Sequence, residues 1–200
     1  TLLGATDAAK AGMGGVYFDS TGQGYVWRHP FPKSVQRRLV SFANPTGTVT
    51  NSDLEHAGLL AQVDIMCSNH DVRYATLENF SDNTPAVSRV HKGAVSGPGG
   101  AAALCRYASD HQRQHRYCHL AHFLPGDSNV MADDASRLQH LSDDMFLLHF
   151  QQVYPQPLPW RMLRLPPETH SQLISALLCK PLGPPTSPRP TKPATPSSAS

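Results

Sequence analysis

TLLGATDAAKAGMGGVYFDSTGQGYVWR, residues 1–28, decides the fold class. Residues 2–8 (LLGATDA) are a short apolar run that carries one acid, Asp7. The glycine-rich AGMGG comes next and then VYFDS, with Gly12, Gly14 and Gly15 permitting sharp backbone geometry. Two strands around a tight connection fit this pattern. A further turn, STGQG at 20–24, leads into residues 25–28 as a third strand. Hairpins that precede any helical periodicity predict an antiparallel start to a sheet.

Working outward, two prolines interrupt HPFPKSVQRR, and residues 39–42 resume strand character before a turn at 44–47. Helical character begins near Ser52. Ser52, Asp53, Leu54 and Glu55 match a capping box, and Leu54, Ala57, Ala61 and Ile65 share one helical face. Residues 72–81 read as a strand, and Thr84 with Pro85 as the cap and first turn of a helix to about Lys92. A flexible break spans 93–100. A helix over 101–114, a strand over 116–124, a loop at 125–127 and a helix from about Val130 follow. The order β-β-β-α-β-α-α-β-α predicts an α/β domain with a mixed sheet over residues 1–138. Residues 139–180 read as a helical C-terminal extension, with helices over 145–153 and 168–179 around a proline-rich 156–167. Residues 181–200 are Pro/Ser/Thr-rich and read as a disordered linker.

The 200-residue chain carries 17 Lys+Arg against 15 Asp+Glu, a balance that argues against a purely electrostatic nucleic-acid binder. It leaves open an enzyme whose site needs only local acids. The chain opens on Thr1 and enters an apolar run at once, as a piece of a longer polypeptide would. No stretch approaches the roughly 18 apolar residues of a membrane span, and no leader pattern is present. Cys67, Cys105, Cys118 and Cys179 lie far apart without a C-x-x-C pair, which fits a reducing intracellular compartment, cytoplasm or nucleus. His111, His115, His119 and His122 recur at short spacing. Because 116–124 reads as a strand, they split between faces, and zinc is the weaker account of them.

The acids fall in more telling places. Asp7 ends the first apolar strand, where a lone carboxylate is costly. Glu55 stands in the first turn of the first long helix, Asp82 at the end of the fourth strand, and Asp133 with Asp134 at the start of a late helix. Each has a local alternative: a turn residue for Asp7, the capping-box partner of Ser52 for Glu55, a helix cap for Asp82, a helix-dipole charge for Asp133. In α/β sheets, strand ends and helix starts converge on one crevice. Carboxylates gathered there repel one another and call for cations. Two Mg²⁺ ions about 3.5–4 Å apart would activate a water and stabilise a leaving oxygen in phosphodiester hydrolysis. Hard oxygen ligands favour magnesium over zinc.

At these residues the chain resembles the ribonuclease H family, and within it the domains that follow reverse transcriptase in retroelements. TVTNSDLEHAGLLA (48–61) resembles the family's T-N-x-x-x-E helix start and SDNTPAV (81–87) its S/T-D-x strand end. PGDSNVMADDASR (125–137) is similar to the retroelement pattern P-G-x-x-N-x-x-A-D-x-x-S-R, and ATDAAKAGMGGVYFD (5–19) to the first hairpin. The resemblance covers roughly residues 1–138. It implies a ribonuclease H-like α/β fold, a central five-stranded mixed sheet flanked by helices. It implies Asp7, Glu55, Asp82 and Asp133 as the catalytic and metal-binding set, holding two Mg²⁺ with Mn²⁺ as a substitute. The implied reaction is hydrolysis of the RNA strand of an RNA–DNA hybrid, and the implied neighbour is a reverse transcriptase domain in a parent polyprotein.

Between Asp7 and Glu55 the interval of 48 residues is long for the family, with residues 30–34 as the insertion. Gly126 stands near the place where cellular members carry a histidine, and no basic handle helix is evident over 93–100. Substrate grip is then expected from the adjoining polymerase domain. The A-D-x-x-S-R register selects Asp133 over Asp134, which is expected on the solvent face. Asn129 is a candidate for ordering the loop or contacting backbone, and Arg28, Arg37, Arg38, Arg89, Lys92 and Arg137 are candidates for phosphate contact. The competing functional class is a catalytically inactive nucleic-acid-binding or connecting module of the same fold. An integrase would lack the acid on the first helix, and a proofreading exonuclease would carry D-x-E on the first strand, where Asp7 is followed by Ala8 and Ala9.

Overall fold

A computed structural model describes residues 1–179; the linker expected over 181–200 lies outside them. Three strands open the chain: β1 (Leu2–Ala8), β2 (Gly12–Phe18) and β3 (Gly24–Pro30). A short helix α1 (Lys33–Gln36) precedes the long α2 (Asn51–Asn69). Then come β4 (Thr76–Ser81), α3 (Thr84–Lys92), α4 (Gly100–His115) and β5 (Cys118–Phe123). A 3₁₀ turn at Gly126–Ser128 leads to α5 (Val130–Arg137), α6 (Asp143–Val153), β6 (Arg161–Leu163) and α7 (Pro167–Leu177).

The strands make one sheet in the order β5-β4-β1-β2-β3-β6. β1, β2 and β3 pair antiparallel, whereas β4 joins β1, β5 joins β4 and β6 joins β3 in parallel. The fold is α/β and ribonuclease H-like: hairpins first, helical crossovers afterwards, helices on both faces. The five strands expected become six. Tyr25 to Trp27 take Arg161 to Leu163 as partners, a run too short and too close to prolines to read as a strand in the sequence.

Alternation along the strands sets the two faces. Met13 and Tyr17 of β2 and Trp27 of β3 turn toward α2 and the main core, with Leu54, Leu60 and Leu77. Val16 and Val26 turn to the other face, where Ala135, Phe146, Phe150 and Trp160 cover them. Gly14 matters here, because a Cβ at that position would come within 2.5 Å of the Ala135 carbonyl carbon. Its absence lets α5 lie directly on β2.

Several boundaries differ from the sequence reading, each for a local reason. Residues 39–42 form no strand: Leu39 makes a lone bridge to Val49, and the Asn44 amide donates to the Arg37 and Leu39 carbonyls at 3.0 Å each. Strand pairing begins at Thr76 rather than 72, after Tyr74 turns left-handed with φ 62°. Arg116, at φ 58°, ends α4 in the same way before β5. The cap of α3 is Asn83, whose Oδ1 accepts from Ala86 N–H at 2.9 Å, so Thr84 is already helical.

The free edge of β5 is blocked by side chains. His91 Nε2 donates to the Ala121 carbonyl at 2.6 Å, and the Gln112 side chain accepts from His119 N–H at 3.4 Å. Such capping hinders pairing with another chain. Residues 139–179, expected as a helical extension, pack on this same sheet and its helices. Arg28 of β3 reaches across to them, its guanidinium bonded to the carbonyls of Leu138 and Leu141 and to Asp143, 4.3 Å above the Phe146 ring. On the opposite face Thr169 of α7 donates to Asp64 Oδ2 of α2 at 2.7 Å, while His111 of α4 lies 2.9 Å from the other oxygen of Asp64.

Candidate metal centre

α2 begins at Thr50, not Ser52. Thr50 Oγ1 accepts from Asp53 N–H at 3.2 Å, and Asp53 Oδ2 accepts from Thr50 N–H at 2.7 Å. Asp53 Oδ1 also accepts from Arg89 of α3 at 2.8 Å. The capping box is therefore closed without Glu55, which lies two residues further in and is buried. Its local alternative fails, and so does that of Asp82, because Asn83 caps α3.

Asp7 reaches the same place from the end of β1, where it pairs with Gly14, and Asp82 from the residue after β4. One carboxylate oxygen each from Asp7, Glu55 and Asp82 lie within 4.8 Å of one another. Among the described residues this is the one group of three or more His, Cys, Asp or Glu side chains so placed. Gly126 borders it: a Cβ there would stand 3.1 Å from Asp82 Oδ2, so the loop before α5 comes close to the cluster.

The electrostatics follow from burial. Desolvation holds Asp7 above the usual carboxylate range; a hydrogen bond from Ser136 opposes this, and the charges of Asp133 and Asp82 add to it. Desolvation, then Asp7 and Asp82, push Glu55 up to about 9, against the Ala8 N–H and the Ser81 hydroxyl. Ser81 Oγ lies 3.5 Å from Glu55 Oε2. Carboxylates buried this closely need either protons or a cation. A donor set made only of hard oxygens fits a divalent ion of the magnesium type.

Asp133 stands apart from the three. It occupies the first turn of α5 and pairs with Arg137, one turn on. Its charge acts on Asp7, and Ser136 of the same helix sets its hydroxyl oxygen against the Asp7 carboxylate and 3.0 Å from the Asp133 main-chain carbonyl. Asp134 is not on the solvent face as expected. It accepts from His149 Nε2 at 2.7 Å and from the Tyr154 hydroxyl at 2.9 Å, which ties α5 to α6 and its C-terminal end.

Asn129 donates to the Thr6 carbonyl at 2.9 Å and so fixes the loop before α5 to β1. Of the arginines considered for phosphate contact, Arg28 is an internal brace, Arg89 holds Asp53, and Arg38 donates to the Leu178 carbonyl. Arg37 and Lys92 are exposed. The histidines form no ligand cluster among the described residues: His111 packs on His115 with ring centroids 4.3 Å apart and serves Asp64 and Tyr117, and His119 lies 3.1 Å from Asn79 Nδ2. Ser136 and Ser81 carried no role in the sequence reading, although both stand inside the motifs quoted for the acids.

A ribonuclease H-like α/β domain with a buried carboxylate cluster at the ends of β1 and β4 is the class that fold and site define. No family model matches the chain, and no curated protein matches it by sequence. Among solved structures, LC11-RNase H1, isolated from compost by a metagenomic approach, is 16% identical, with a TM-score of 0.48 over 68% of this chain and 91% of that one. LC11-RNase H1 in complex with an RNA/DNA hybrid is 16% identical, with a TM-score of 0.45 over 68% of this chain and 93% of that one.

Proposed function

We propose that this chain is a metal-dependent endonuclease that hydrolyses the RNA strand of RNA–DNA hybrids. The observation that carries the reading is the meeting of Asp7, Glu55 and Asp82 within 4.8 Å at one end of the sheet. Asp7, Glu55, Asp82 and Asp133 would hold the divalent cations. Bound there, Mg²⁺ or Mn²⁺ supplies the charge that makes a water nucleophilic and meets the charge developing on the phosphate. The protein's own residues prepare the place. Burial of Asp7 and Glu55 keeps bulk water from screening their charge. Ser136 and Ser81 orient the two buried carboxylates, and Asn129 holds the loop that brings α5 beside them. Arg137 stands over Asp133 at the rim, within reach of a phosphate backbone.

The retroelement context belongs to the same proposal. It rests on the likeness of PGDSNVMADDASR (125–137) to the retroelement pattern, and it makes a reverse transcriptase domain the natural neighbour in a parent polyprotein. The test is cleavage of a hybrid labelled on either strand, with Mg²⁺ and with EDTA, beside Asp82→Asn. Metal-dependent cutting of the RNA strand alone, lost in the variant, is the expected result. A folded chain that stays inert with Mg²⁺ and Mn²⁺, alone and joined to a polymerase domain, would leave an inactive binding module in its place.

A further inference from the structure

Ser136 touches the side chain of the strand acid Asp7 and the main chain of the helix acid Asp133. It is fully buried in α5, with its Oγ against Asp7 Oδ2 and 3.0 Å from the main-chain carbonyl of Asp133. A serine hydroxyl has a single proton. Donated to a carboxylate it makes a charge-assisted bond, the stronger of the two choices open to it. The other oxygen of Asp7 has no hydrogen-bond donor among the described residues. The hydroxyl thus holds Asp7 Oδ2, in a carboxylate that offers one oxygen to the cluster with Glu55 and Asp82. Ser136 sits one turn beyond Asp133 on a helix that Gly14 admits directly onto β2, so the contact ties α5 to the end of β1.

We propose that Ser136 is a positioning residue for the metal centre: its hydroxyl holds Asp7 in the orientation that a divalent cation requires. This rests on the metal-centre reading above. Groups that orient a ligand in this way commonly change metal affinity by about 10–100-fold when they are removed. Neither Asp7 nor Ser136 is exposed enough for bulk water to take over the lost bond.

The experiment is direct Mn²⁺ titration of the metal-free 200-residue chain, following the paramagnetic resonance of the free aqueous ion. Wild type is compared with Ser136→Ala, Ser136→Cys and Tyr154→Phe, each checked by circular dichroism and by its melting temperature. Ser136→Cys keeps nearly the same volume but offers a weak donor. Tyr154→Phe loosens α5 by removing a bond to Asp134 without touching Asp7. The expected result is Mn²⁺ affinity lowered roughly tenfold or more in both Ser136 variants and unchanged in Tyr154→Phe. Wild-type affinity in Ser136→Ala or Ser136→Cys would overturn the role of the hydroxyl while leaving the metal centre standing. Equal weakening in Tyr154→Phe would overturn it too, by tracing the effect to looser packing of α5. A wild-type chain that binds no Mn²⁺ would overturn the metal-centre reading, and the role of Ser136 with it.

Discussion

Thr50 and Asp53 close the first turn of α2 on each other: Thr50 N–H donates to Asp53 Oδ2 at 2.7 Å and Asp53 N–H to Thr50 Oγ1 at 3.2 Å. The helix start is secured three residues from one end to the other, and Glu55 is left with no part in it. Thr50→Ala is therefore expected to cost about 1 kcal/mol in urea unfolding. Glu55→Gln should cost nothing, since it removes a buried acid crowded by Asp7 and Asp82. A loss at Glu55→Gln as large as at Thr50→Ala would return Glu55 to a capping role.

Asp133 and Asp134 should separate cleanly by variant. Asp134 is committed to His149 and Tyr154, so Asp134→Asn is expected to lower stability by about 1 kcal/mol while cleavage of the hybrid persists. Asp133 pairs with Arg137 at the surface, a contact worth little to stability. Asp133→Asn should melt like wild type and cut at least about a hundredfold more slowly, as the loss of one charge-stabilising group does elsewhere. Reversal of the two phenotypes, read from melting curves and single-turnover rates, would place the last acid at Asp134.

Trp27 Nε1 donates to Gln62 at 2.8 Å, Gln62 to Asn79 Oδ1 at 2.5 Å, and Asn79 Nδ2 reaches His119 Nε2 at 3.1 Å. This buried chain runs in one direction and needs His119 neutral, with Nε2 as acceptor. Gln62→Leu leaves Trp27 Nε1 and Asn79 Oδ1 without their partner and is expected to cost about 1–3 kcal/mol in urea unfolding. Wild-type stability in that variant would show that the chain contributes nothing.

The same histidine makes stability fall in acid. Burial, with the neighbouring histidines, lowers the His119 pKa from its ordinary 6.5 to about 3. Above pH 6.5 the ring is neutral in both states and its contribution is whole. Below that the unfolded chain takes up a proton that the folded chain refuses, so stability drains away as the pH falls toward 3. His29 and His56, each lowered to about 4 by burial, act in the same sense. Melting temperatures across this window should fall less steeply in His119→Asn than in wild type. An identical slope would exclude His119 as a source of the acid sensitivity.

Arg28 supports the turn between α5 and α6 through a planar fork that lysine cannot reproduce. Arg28→Lys is expected to lower the melting temperature and to leave the salt dependence of hybrid binding unchanged. A smaller salt slope in the variant would instead make Arg28 a phosphate contact.

Local pattern was readable where the cause is local. The hairpins of residues 1–28, the helix at Thr84–Lys92 and the helix from Val130 follow from glycine turns, prolines and apolar spacing, and each stands within a residue or two of where those signals put it. Asp7, Glu55 and Asp82 lay at element ends for the same reason. The cap of α2 stands two residues earlier than the pattern indicates because TNSD contains several capping side chains, of which the Thr50–Asp53 pair closes the box. Strand character at 39–42 failed because a strand needs a partner, and Asn44 satisfies the carbonyls there instead.

What the chain alone determined, then, is the type and order of its elements and the positions of its acids at their ends, since both depend on hydrogen bonding and apolar periodicity within a few residues. Only the tertiary structure decided which acids meet, that Asp134 braces α6, that Arg28 is internal, that Ser136 stands behind Asp7, and that residues 161–163 extend the sheet. Those relations join groups 15 to 136 residues apart in sequence, such as Asp134 with His149 and Tyr25 with Arg161. No local propensity encodes such pairs, because the packing of helices on a twisted sheet sets the distance between them.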